Sequence, residues 1–347
     1  MTRGFQLDST AVRTPAAAAM SILPPAPPRL ATETGQADFG VYQGIIPDLS
    51  WNGLAMSPLQ RLGRRLHHKR WQYAAIAHDD FLIAAAVVDV GWNGTAFAYL
   101  FDRRSRRVAA AASANGLPGV GIRVADRAFG DAHFRFGGVD LRFARDGDTL
   151  RLSLDSRELQ LDAAISLAAM PPVLAVVAPA NYLAHSTHKS GGLTVEGEAR
   201  GPAGRYALSG AAASLDYSNG LLARETRWRW ASAHGRHMGF NLQQGYMGNA
   251  ENAVWLDGRL FRVGAVEFDY LADDPLAPWR VRSQDGLVDL AFTPEGARRE
   301  DKNLLIAASR YVQPIGRFDG TLTDPASGER HPVRQLAGVT EDHLSRW

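Results

Sequence analysis

The chain has 347 residues, 46% of them apolar, no cysteine, and a net charge of only +2 from 38 basic and 36 acidic residues. That length buries a large core and allows roughly two domains. The balance of charge argues against a polyanion-binding surface, so no nucleic-acid partner is expected; the missing cysteine excludes disulfides, thiolate metal sites and a cysteine nucleophile.

The opening stretch, "MTRGFQLDSTAVRTPAAAAMSILPPAPPRL", has no continuous apolar run of the kind a secretion signal needs. No later segment approaches the roughly 20 apolar residues of a membrane span. A cytoplasmic protein without a transmembrane segment is therefore expected, with residues 1–35 as a disordered Ala/Pro-rich tail. Next, "SPLQRLGRRLHHKRW" sets Pro58 at a helix start and Leu59, Leu62 and Leu66 at helical spacing. One short helix follows, its leucines buried and its arginines outside.

From Trp71 the period drops to two, as in "HFRF", "VDLRF" and "TLRLSL", which predicts half-buried strands. "AHDDF", "VGWNGT", "FDRRSRR", "RFGGVD", "ARDGDT" and "WLDGRL" supply the Gly, Asn and Asp of tight hairpins. The second half continues in the same style, and "AAMPPVLAVVAPAN" marks a break. The expected fold is mainly β: two antiparallel barrel or sandwich modules, residues 36–200 and 201–347, with no visible internal repeat.

Chemistry-bearing side chains concentrate between Asn181 and Gly258. In "TRWRWAS", Trp228 and Trp230 share one strand face, either as core residues or as the wall of an aromatic cavity. "HSTH" turns His185 and His188 to opposite faces of a strand, which argues against a shared metal, and no metal site is expected. Asp216 precedes a Ser-Asn-Gly turn in "SLDYSNG", where a carboxylate either caps the turn or, if held in an apolar pocket beside Tyr217 and the tryptophans, stays protonated as a proton donor. In "ENAVWLDG", alternation sets Glu251 and Trp255 on one face and Asn252 on the other, with Asp257-Gly258 closing a hairpin. Glu251 would then follow Trp255, into a pocket or onto the surface. Glycine-rich "GGLTVEGEARGPAG" lacks the setting of a phosphate loop, and no G-x-S-x-G elbow is present.

Three stretches, "KRWQYAAIAHDDFLIAAAVVDVGWNGTAFAYLFDR", "LDYSNGLLARETRWRWASAHGRHMGFNLQQGYMGNAENAVWLDG" and "GVTEDHLSRW", resemble the DUF2804 family, whose name carries no activity. More distantly, "NYLAHSTHKSGGLTVEGEA", "LSGAAASLDYSNG" and "WRWASAHGRHMGFNLQ" resemble, in order and spacing, the tandem lipocalin-like group of carotenoid 1,2-hydratases, AttH-like proteins and tocopherol cyclases. This resemblance implies two lipocalin-like modules and a proton-handling role for Asp216. It departs from the pattern at Tyr217-Ser218-Asn219, where that group has His-Glu-Trp.

Two functions follow from these readings. The first is a cofactor-independent hydratase, isomerase or cyclase acting on an unsaturated apolar small molecule at a pocket near the module junction. Asp216, Glu251, His185 and His188 would be its catalytic groups, and Tyr182, Lys189, Tyr217, Trp228, Trp230, Asn241, Asn252 and Trp255 its substrate-binding groups. The second is a carrier of a lipid, isoprenoid or pigment, which needs the apolar cavity but no proton donor. Oligomeric state is not legible in the sequence.

Overall fold

The computed structural model describes residues 23–116, 120–180, 183–303 and 308–346. The chain folds into two curled antiparallel half-barrel sheets with one α-helix among the described residues, which bears out the expected mainly-β class. No described helix is long and apolar enough to cross a membrane.

The first sheet opens with β1 (Gly40–Gln43), followed by helix α1 (Pro58–His67). β2 (His68–Ala77), β3 (Phe81–Asp89), β4 (Gly94–Asp102) and β5 (Arg107–Asn115) then form a meander through the short turns expected from the sequence. β6 (Ile122–Val124), β7 (Ala132–Phe136), β8 (Val139–Asp146), β9 (Thr149–Asp155) and β10 (Gln160–Ser166) form a second meander. β11 (Leu174–Ala180), the 19-residue β12 (Leu183–Gly201), β13 (Gly204–Ala207) and β14 (Ala212–Leu221) complete the sheet. Its main order is β5-β4-β3-β2-β14-β12-β10-β9-β8-β7-β6, so β12 and β14 join the two meanders.

The second sheet contains β15 (Glu225–His234), β16 (Met238–Gly245), β17 (Ala253–Leu256), β18 (Arg259–Arg262) and β19 (Val266–Asp269). It continues with β20 (Trp279–Ser283), β21 (Val288–Asn303), β22 (Ala308–Thr323) and β23 (Arg330–Arg346), in the order β18-β17-β16-β15-β23-β22-β21-β20-β19. The change of sheet therefore falls at residues 222–224. The division expected at 200/201 cuts through the first sheet, because β14 pairs with both β12 and β2.

Residues 1–22 of the expected tail lie outside the described residues. From Leu23 onward the chain is packed, contrary to expectation: Leu30, Ile46, Leu49, Trp51 and Leu54 are buried in the concave core of the first sheet. The proline-rich composition extends the chain, while its scattered large apolar residues supply a filling for the half-barrel. Helix α1 forms as predicted, with Ser57 and Gln60 making a reciprocal capping box. Leu59 and Leu62, expected to be buried, are instead 78% and 64% exposed; the side chain of Leu66 lies outside what is described.

Each sheet has its own core on its concave face. The convex faces pack against each other through Leu82, Ala84, Ala86, Tyr99, Ile315 and Val339. β3 is consequently buried on both faces, which explains the uninterrupted apolar run "FLIAAAVV". A bidentate ion pair, Arg103 to Glu295 at 2.8 and 3.0 Å, joins the sheets beside this seam.

Candidate active site

A cavity of about 180 Å³ lies in the seam, walled by convex-face residues of both sheets. From the first sheet come Trp71 and Tyr73 on β2, His185 and Lys189 on β12, and Asp216 on β14. Antiparallel register explains the grouping: Lys189 is paired with Asp216, and Asp216 with Tyr73, so their side chains share one face. The second sheet contributes Trp228 and Trp230 on β15, Gln243 on β16, Tyr311 and Gln313 on β22, and Glu341 and His343 on β23. Tyr246 and Glu251 reach in from the connection between β16 and β17.

The centre of the site is an ammonium shared by two carboxyl groups. Lys189 Nζ donates a short hydrogen bond to Asp216 Oδ2 and lies 3.6 Å from Glu251 Oε2. Trp71 Nε1 donates to Asp216 Oδ1 at 3.3 Å. Burial is the largest single influence on Lys189 and pulls its pKa down, but the charges and hydrogen bonds of Asp216 and Glu251 together outweigh it, leaving it raised. Glu251 is raised too: burial comes first, the pull of Lys189 opposes it, and the charge of Asp216 reinforces it. His185 is driven down to about 3 by burial and then by the Lys189 charge, so it is neutral at ordinary pH.

The expected pocket residues divide clearly. Asp216, Glu251, His185, Lys189, Trp228 and Trp230 all line the cavity. Asn241 stands just behind it, accepting Trp230 Nε1 at 2.8 Å and donating to the Glu251 backbone carbonyl at 2.9 Å. His188 and Tyr217 point instead into the first sheet's concave core, where His188 Nε2 accepts from Ile46 N at 3.2 Å and the Tyr217 hydroxyl donates to Ala125 O at 2.8 Å. Strand alternation decides this, since 188 and 217 have opposite parity to 189 and 216. Asn252 ties Gln243 N to Gly264 O and is structural. Trp255 donates to Pro172 O at 2.6 Å outside the cavity, while Glu251 precedes β17 and turns inward separately, so the two do not travel together. Tyr182 lies outside the described residues.

The Ser-Asn-Gly turn expected after Asp216 does not form, because β14 runs straight through it. Gly220 serves close packing: a Cβ there would come within 2.4 Å of His185 Nδ1. Asp216 consequently sits mid-strand among hydrogen-bond donors rather than in the purely apolar pocket imagined for it.

Sequence reasoning missed the second polar group, although it lies in the quoted "GVTEDHLSRW". Glu341 Oε1 accepts Trp228 Nε1 at 2.9 Å and lies 3.2 Å from His343 Nδ1, and Glu341 Oε2 accepts Gln313 Nε2 at 2.9 Å. His343 Nε2 lies 2.7 Å from the Ser345 hydroxyl. The period-two spacing of 341, 343 and 345 was the available signal.

A family model described as a domain of unknown function, DUF2804, matches residues 23–347. The chain belongs to the DUF2804 family. No curated protein sequence matches this DUF2804 chain significantly. Among solved structures it is similar to an AttH-like protein from Nitrosomonas europaea, at 15% identity and a TM-score of 0.53, covering 86% of this chain and 99% of that one. It is also similar to kievitone hydratase from Nectria haematococca, at 10% identity and a TM-score of 0.52, covering 82% of this chain and 90% of that one. At these identities the likeness is one of fold; the DUF2804 resemblance read from the sequence is borne out by the family model.

Proposed function

We propose that this DUF2804 protein is an acid–base enzyme that adds water to, or shifts, a carbon–carbon double bond in an apolar small molecule. The observation that carries the reading is the meeting of Asp216 and Glu251 on one buried ammonium inside an aromatic cavity. A carrier needs the cavity but has no use for that cluster, whose burial costs stability. Hydratase chemistry in one protein of similar fold is compatible with the reading.

Two ionised carboxyls beside one ammonium leave an uncompensated negative charge in a buried place, and a proton on Glu251 removes it. Glu251 is therefore the proton donor, while Asp216 stays clamped by Lys189 and Trp71. Transfer of the Glu251 proton to one alkene carbon leaves a cation on the other. Trp228 and Trp230 face that cation with π electrons, and Asp216 stabilises it electrostatically. Water then forms the new carbon–oxygen bond, and the oxonium proton passes to His185. So weak a base suffices because a protonated alcohol is a strong acid. Returning the proton to Glu251 closes the cycle; loss of a proton from a neighbouring carbon to His185, instead of capture of water, gives the isomer, and the same return to Glu251 closes that cycle.

The cavity slightly exceeds the roughly 150 Å³ that admits benzene in an engineered protein. The reacting part of the substrate is thus about one ring or a branched chain of similar bulk. The test incubates the protein with 1-methylcyclohexene, geraniol and β-ionone in ¹⁸O-labelled water and follows incorporation of one labelled water by mass spectrometry. Turnover in the native protein with a loss of about 10²–10⁴-fold in Glu251→Gln is expected. Absence both of incorporation and of any double-bond isomer in all three, or full activity in the variant, rejects the reading.

A further inference from the structure

Three indoles line the cavity, and each has its N–H edge committed to an oxygen. Trp71 donates to Asp216 at 3.3 Å, Trp228 to Glu341 at 2.9 Å and Trp230 to Asn241 at 2.8 Å. An N–H already engaged is not available to a ligand. What these residues offer is the carbon ring, whose π face is negative. A carboxylate accepting the N–H polarises the indole further, because hydrogen bonds to charged groups reinforce one another in a low-dielectric site.

The carboxyl groups lean the same way. Asp216, Glu251 and Glu341 line the cavity against the single ammonium of Lys189. Lys189 is already taken by Asp216 and Glu251. The partners of Glu341 among the described residues are Trp228, Gln313 and His343, none of them a lysine or arginine. Arg298, stacked behind Phe97 at 4.2 Å, is paired with Glu300 at 2.7 Å and brings no net positive charge.

We propose that the cavity selects an apolar organic cation of trialkylammonium size, with Glu341 as the counter-charge and the three indole faces as its cage. Such a ligand has the charge and approximate size of the carbocation in the proposed reaction, and the inference rests on that reading for its role in catalysis. A cation loses hydration on entering, and π faces together with a carboxylate that has no lysine or arginine partner among the described residues offset the loss. A neutral molecule of identical shape lacks the charge attraction of Glu341.

The test is calorimetric titration of the full chain with choline and with 3,3-dimethyl-1-butanol, its neutral isostere, and with benzyltrimethylammonium as a larger cation. The titrations are run at pH 8.5. Choline is expected to bind at least tenfold more tightly than the alcohol. Glu341→Gln, which keeps an acceptor for Trp228, is expected to shrink that preference below threefold while leaving the affinity for the alcohol unchanged. Equal or tighter binding of the alcohol by the native protein overturns the proposal, as does a preference that survives in Glu341→Gln. The native comparison does not depend on how the variant folds. Cation preference with neither incorporation of labelled water nor a double-bond isomer rejects the reaction and keeps the site; turnover without cation preference rejects the site and keeps the reaction.

Discussion

Lys189 and Asp216 stand directly opposite each other on β12 and β14, and the same ammonium reaches Glu251 from the other sheet. The lysine thus fastens the two sheets at the centre of the cavity. Lys189→Met removes the compensating charge and leaves two buried carboxyl groups together. The expected cost is about 3–5 kcal/mol at pH 7, read from urea unfolding, with part of it recovered at acid pH as the carboxyls protonate. A loss no larger than that of a surface lysine would show that water already screens the cluster.

Acid sensitivity should come from histidines before carboxylates. Burial first, in every case, lowers His68 to about 4 and His185, His188 and His234 to about 3. In the unfolded chain they take up protons below about pH 6.5, whereas in the folded chain they do not until about pH 3–4. The stability they confer is complete above pH 6.5 and falls with pH through that window, by about 1.4 kcal/mol per pH unit for each histidine. His188→Gln, which keeps an acceptor for Ile46 N, should flatten the dependence of unfolding free energy between pH 6 and 4.5 by one histidine's share. An unchanged slope would mean that His188 is protonated in the folded protein.

Gly220 faces His185 so closely that a methyl group would sit 2.4 Å from the ring. Gly220→Ala should displace His185 from the cavity wall. Overpacking of this kind costs about 1–3 kcal/mol, and turnover should fall at least tenfold. Normal kinetics in a correctly folded variant would remove His185 from the proton path.

Trp51 is wholly buried, and its Nε1 donates to Asn219 Oδ1 at 2.8 Å. This fastens the segment that fills the first half-barrel. Trp51→Ala should cost about 3–5 kcal/mol and raise binding of the dye ANS, because the concave core is opened. A small loss without dye binding would show that the remaining filling residues hold the segment by themselves.

The sequence disclosed the strands and the hairpins because alternation and turn residues are local properties. Trp228 and Trp230 were legible as a facing pair for the same reason. Which face of a strand looks inward was not legible here, since the convex faces of both sheets are also covered. Polar residues such as Glu341 and His343 therefore resembled solvent-facing positions of an ordinary strand. Gly220 was mistaken for a turn because close approach to a ring and a chain reversal call for the same residue. The parity rule that parted His185 from His188 held, yet it could not tell cavity from core.

The alanines of the seam set the gap between the sheets. Ala84 and Ala86 stand on β3 between the two convex faces, and Ala86 also borders the cavity. A larger side chain at Ala84 would wedge the sheets apart rather than fill the hole, so the aperture offered to a ligand is gauged in part by a residue that does not line it. A change of one or two methyl groups at Ala84 is therefore expected to rescale the chamber while leaving Lys189, Asp216 and Glu251 in place.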